Sequence, residues 1–124
     1  MNQPLAFVLY ERLLPGSQLV NRLQDLKYRV RAVTDVEALV PCVQQEKPML
    51  VLADLISTRH NVCQVIGRLR KDPETQHIPV IAFGPEESAE LQQAAREAGA
   101  TLVASETAVL THLTQFLDQA LQVE

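Results

Sequence analysis

Five short apolar runs recur along the chain at fairly even intervals: Leu5 to Tyr10, Tyr28 to Val33, Met49 to Ala53, Ile78 to Phe83, and Thr101 to Ala104. Each is followed by a stretch that reads as helix. The runs are nearly continuous in hydrophobicity rather than alternating, the pattern of strands covered by helices on both faces. Strands that alternate with helices predict a parallel sheet, and so an α/β fold.

Helix boundaries come from local chemistry. Thr34, Asp35, Val36 and Glu37 have the form of a capping box, which predicts a helix to about Glu46, kinked at Pro41. Pro15 and Gly16 interrupt the first helical segment, so its start is placed near Pro15, with Leu19, Val20, Leu23 and Leu26 facing the core. Pro79 falls near a strand start, where a missing N–H is tolerable. Pro85 followed by Glu86 and Glu87 predicts the start of a fourth helix, and Gly99 its left-handed end. A last helix, Thr107 to Leu121, carries Leu110, Leu113, Phe116, Leu117, Ala120 and Leu121 as an apolar stripe, most simply a core face.

The chain of 124 residues fits one domain spanning residues 1–124, enough to bury roughly two thirds of its unfolded surface. With 21% charged and 47% apolar residues it has the balance of a soluble globular protein. The net charge of -4 and the scattered Lys and Arg argue against a nucleic-acid surface; Arg68, Arg70 and Lys71 read as a solvated helix end. No apolar stretch reaches the roughly 18 residues of a membrane span, and no signal core follows the N-terminus, so a cytoplasmic location is expected. Cys42 and Cys63 lack a CxxC spacing and read as buried free thiols. Without a Gly-rich phosphate loop or a GxSxG elbow, the chain is not expected to be an enzyme. His60, His77 and His112 are far apart; only His60, close after Asp54, falls near the expected crevice.

Asp54 is the best clue to chemistry, because it ends the run Met49 to Ala53. A carboxylate at the carboxyl end of a central parallel strand faces the crevice where open α/β sheets bind ligands. The plainer reading is a helix cap or loop acid.

The passage from Leu69 through Arg70, Lys71, Asp72, Pro73, Glu74, Thr75, Gln76, His77, Ile78 and Pro79 to Phe83 resembles the third-helix to fourth-strand passage of response-regulator receiver domains. Its spacing from Asp54 matches, and Ala94 to Ala100 resembles the end of that family's fourth helix. The resemblance covers essentially the whole chain. It implies a doubly wound (βα)5 flavodoxin-like fold with a parallel sheet in the order 2-1-3-4-5.

In that family the aspartate at the place of Asp54 accepts a phosphoryl group from a histidine kinase. Two acids after the first strand help hold magnesium, and here their places read Tyr10 and Glu11. Glu11, Asp54 and the Ile56 carbonyl would then form at most a weak Mg2+ site. The lysine expected after the fifth strand is replaced by Glu106, or by Ser105 with a one-residue shift. Glu106 would repel a phosphoryl group. The hydroxyl ending the fourth strand is replaced by Gly84, and the fifth-strand aromatic by Val103. Thr58 and Val62 stand for the usual proline and glycine after the aspartate.

These departures resemble the pseudo-receiver subgroup, which would act in two-component phosphorelay signalling as a protein-binding module without phosphotransfer. Its partner would be a histidine kinase or a downstream signalling protein. The expected surface, also that of a homodimer, is helix 4, strand 5 and helix 5, with Glu86, Glu87, Glu90, Gln92 and Gln93 outward. One alternative is an atypical receiver phosphorylated on Asp54; another is a small-molecule-binding flavodoxin-like module. If no cation neutralises Asp54, it and Glu11 would resist joint ionisation, and Asp54→Asn would then stabilise the fold near neutral pH, an expectation motivated by the missing lysine.

Overall fold

The computed structural model describes residues 4–57 and 61–122. Thr58 and His60 fall outside them. Five strands alternate with helices: β1 (Leu5–Leu9), α1 (Leu13–Asp25), β2 (Arg29–Val33), α2 (Val36–Glu46), β3 (Leu50–Asp54), α3 (Val62–Lys71), β4 (Val80–Gly84), α4 (Ala89–Ala98), β5 (Leu102–Ser105), α5 (Glu106–Thr111) and α6 (Leu113–Gln122). The strands form one sheet in the order β2-β1-β3-β4-β5, and every pairing is parallel, as expected.

Because side chains on a strand alternate between faces, each inner strand feeds two separate cores. Phe7, Leu9, Val51, Ala53, Val80 and Ala82 pack against residues of α2, α3 and α4. Ala6, Val8, Leu50, Leu52, Ile81 and Phe83 pack against Leu19 and Leu23 of α1 and against Val109, Leu113, Leu117 and Ala120 of α5 and α6. β1, β3 and β4 are covered on both sides. β2 is an edge strand, and its Arg29, Arg31 and Ala32 are exposed.

Several boundaries differ from expectation. Asp35, not Thr34, caps α2: its extended backbone lets Oδ1 accept from the Glu37 N–H at 3.0 Å, which moves the helix start by one residue. α2 then runs through Pro41 to Glu46. Regular helix in α1 begins after Leu14, which is extended at φ -109 and ψ 133, as a residue before proline prefers. Leu19 and Leu23 are buried, but Leu26, at the helix end, is exposed. Pro85 to Ser88 close a turn, with the Ser88 N–H donating to the Pro85 carbonyl, so α4 starts at Ala89 and leaves Glu86 and Glu87 outside it. Gly99 ends α4 at φ 109, as predicted. The last helix is two: His112 breaks it, and Val109 and Leu113 reach the core from either side. Leu121 is exposed. Cys42 and Cys63 are half-buried rather than buried, and burial still raises the Cys63 thiol above its usual range, away from reactivity.

Candidate functional site

Asp54 continues the alternation of Leu50 and Leu52, so its side chain leaves the sheet on the face of α1 and α5. Two loops meet it there. The segment between β1 and α1 brings Tyr10, Glu11 and Arg12 from one side, and the start of α5 brings Glu106 from the other. Strand order makes this the crevice between β1 and β3, where the chain direction of the crossovers reverses.

The group facing Asp54 is a cation that sequence reasoning missed. Arg12 donates from Nε to Asp54 Oδ2 at 2.9 Å and from Nη2 to Oδ1 at 2.9 Å, a paired two-point contact. The same Nη2 donates to Glu106 Oε2 at 2.7 Å. Asp54 Oδ1 also accepts from the Ile56 N–H at 3.0 Å. The Asp54 side chain is 0% exposed, that of Arg12 30% and that of Glu106 28%, so the charge most costly to bury is the one most fully paired. These contacts hold the Arg12 guanidinium above its ordinary pKa. The hydrogen bond to Asp54 is the largest cause, partial burial opposes it, and Glu106 adds to it.

This pairing overturns the expectation that no cation reaches Asp54. The predicted stabilisation by Asp54→Asn falls with it, because that change now removes a charge-assisted pair instead of relieving repulsion. Glu106 stands at the start of α5 as placed, but its carboxylate is held by Arg12. Glu11 accepts a hydrogen bond from Ser57 Oγ, which links the β1–α1 segment to the one after β3.

Tyr10 is directed into packing. Its ring lies so close to α1 that a Cβ added at Gly16 would come within 2.3 Å of two ring atoms, and it packs against the α1 and α5 core. Only a residue without a side chain permits this approach, which seats the loop carrying Arg12. Gly84 ends β4 buried, and a Cβ there would meet Leu55 at an ordinary 3.7 Å. Val103 packs on the opposite face of the sheet, against the core under α2, α3 and α4. Val62 opens α3, capped by Asn61, whose Oδ1 accepts from the Cys63 N–H.

A magnesium ion does not fit this donor set. A carboxylate that ligates a metal must turn lone pairs toward it, and both Asp54 oxygens already face a guanidinium. A divalent ion beside Asp54 would also meet the positive charge of Arg12. Ile56 meets Asp54 through its N–H, and among the described residues no three His, Cys, Asp or Glu side chains group to hold a metal.

The fold is that of a receiver domain: five parallel strands in the order 2-1-3-4-5, helices on both faces, and an aspartate ending the third strand. No family model matches the sequence, and no curated protein matches it. Solved structures do. A protein described as a response regulator from Chloroflexus aurantiacus J-10-fl superposes with a TM-score of 0.90 at 16% identity, over 98% of this chain and 100% of that one. The signal receiver domain of a signal transduction histidine kinase from Syntrophus aciditrophicus has a TM-score of 0.84 at 16% identity, over 98% and 95%. The chemotaxis response regulator CheY4 of Vibrio cholerae has a TM-score of 0.83 at 16% identity, over 96% and 99%. The backbone is shared while five residues in six differ, so the similarity extends to the fold and leaves the chemistry to the side chains.

Proposed function

We propose that this chain is a receiver-type signalling module of two-component systems that acts by binding another protein and does not accept a phosphoryl group in the usual way. The observation that carries this reading is the two-point contact between Arg12 and Asp54. Phosphoryl transfer requires a carboxylate oxygen free to attack in line, and cations placed on the oxygens of the transferred group. Here both oxygens accept hydrogen bonds from Arg12, and a carboxylate, Glu106, stands where a second cation would be needed.

The partner is a histidine kinase or a downstream signalling protein in the cytoplasm. The binding surface is α4 with the turn before it, β5 and α5; Glu86 and Glu87 of that turn and Glu90 and Gln93 of α4 are exposed. Gln92 is turned partly inward, donating to the Pro85 carbonyl at 3.3 Å. Among the described residues no helix is long and apolar enough to cross a membrane.

Incubation with magnesium and acetyl phosphate, followed by intact mass, tests the reading. The expected spectrum has no phosphoryl adduct. A stable gain of one phosphoryl group that disappears in Asp54→Asn would replace this reading with an atypical phosphorylated receiver.

A further inference from the structure

The function proposed above concerns what Asp54 does not do; the contacts of Arg12 concern what has taken over its surroundings. We infer that Arg12 is a resident cation, a guanidinium built into the chain that stands in for both the divalent metal and the loop cation of a phosphorylated receiver. This inference rests on the pseudo-receiver reading and names the group that fixes the site.

Three observations support it. First, position: Arg12 precedes α1 with an extended backbone, φ -83 and ψ 128, and Tyr10 seated on Gly16 fixes the loop just before it. The guanidinium is therefore presented by packed structure rather than by a free surface side chain. Second, geometry: the planar fork matches the carboxylate of Asp54 at two points, a contact that a lysine ammonium cannot reproduce. Third, charge: one guanidinium lies between two carboxylates, Asp54 and Glu106, brought together from β3 and α5. A metal would have compensated the first and a lysine would have occupied the place of the second. Glu106 is then a partner that orients Arg12 and ties the start of α5 to the end of β3.

Removing the resident cation should therefore expose the need for it. We expect the melting temperature of the wild-type chain to be unmoved by millimolar magnesium. Arg12→Ala leaves the buried Asp54 unpaired and should melt roughly 10 °C lower. Most of that loss should return in Arg12→Ala/Asp54→Asn, where the stranded charge is gone. Magnesium should raise the melting temperature of Arg12→Ala and leave the double variant unmoved.

Two results overturn the inference: a double variant that melts as low as Arg12→Ala, or a wild-type chain that magnesium stabilises as much as it stabilises Arg12→Ala. If Arg12→Ala fails to fold, magnesium titration of the wild type by backbone NMR decides alone. Shifts confined to Glu11, Asp54 and Glu106 that saturate below millimolar metal would overturn it, and an unchanged spectrum supports it. A wild-type chain that gains a phosphoryl group yet ignores magnesium keeps the resident cation and removes the pseudo-receiver reading; one that binds magnesium and stays unmodified does the reverse.

Discussion

The two halves of the crevice differ in opposite ways from what the resemblance to receiver domains implies. Around β1 and β3 charge is concentrated and paired: Tyr10 packs on Gly16, and the buried Asp54 accepts two hydrogen bonds from Arg12 and one from the Ile56 N–H. At β4 and β5 the corresponding positions carry no polar side chain: Gly84 offers no hydroxyl, and Val103 packs into the opposite core. The difference follows from what each half costs when left incomplete. A buried carboxylate without a partner is strongly destabilising, so Asp54 requires the pairing that Arg12 supplies. A missing hydroxyl or a trimmed aromatic leaves nothing charged behind. The two glycines express the same contrast, since a Cβ at Gly16 would collide with the Tyr10 ring whereas one at Gly84 would meet Leu55 at ordinary contact distance.

The comparison breaks most readily at Arg12. Arg12→Glu would gather three carboxylates around the end of β3. We expect a loss of about 3 kcal/mol, the lower end for a broken buried pair because part of Arg12 is in water. Urea and thermal unfolding would measure it. A loss below about 1 kcal/mol would place Arg12 among ordinary surface ion pairs. Next in size is Gly16→Ala, which drives a Cβ into the Tyr10 ring. A cost of about 1–3 kcal/mol is expected, typical of overpacking. Its distinguishing mark is that Tyr10→Ala should relieve the clash in the double variant, measured by the same unfolding curves.

Much of this molecule is legible in its sequence, and the limits have physical causes. The apolar runs give all five strands, because burial on both faces leaves little room for polar residues. Asp72 and Thr75, part of the passage that suggested the family, close the turn after α3: the Glu74 N–H donates to Asp72 Oδ1 at 2.9 Å, and Thr75 Oγ1 donates to the Leu69 carbonyl at 2.7 Å. That passage is recognisable because its residues hold the backbone. The position of Asp54 at the end of the third strand was also readable, as were Gly84 ending the fourth and Glu106 following the fifth. Arg12 was not, since a comparison of functional positions looks for a cation after the fifth strand, whereas this one arrives from the first loop. One signal was available: Arg12 follows Glu11 at the carboxyl end of the first apolar run, the same edge of the sheet on which Asp54 falls. Its two-point pairing depends on three-dimensional approach over 42 positions of sequence.

The smallest effect should come from the β4 half, and its sign matters more than its size. At Gly84 a Cβ would sit 3.7 Å from Leu55 Cβ and 3.8 Å from its Cδ1, ordinary contact distances. The backbone there is regular strand. Gly84→Ala should therefore stabilise the fold by about 0.4–1 kcal/mol, because it restricts the unfolded chain without straining the native one. Unfolding in urea would detect a midpoint shifted upward with an unchanged slope. A destabilised variant would mean that the space beside Leu55 is filled, and the contrast between a charge-paired end and an uncharged end of the crevice would lose its second half.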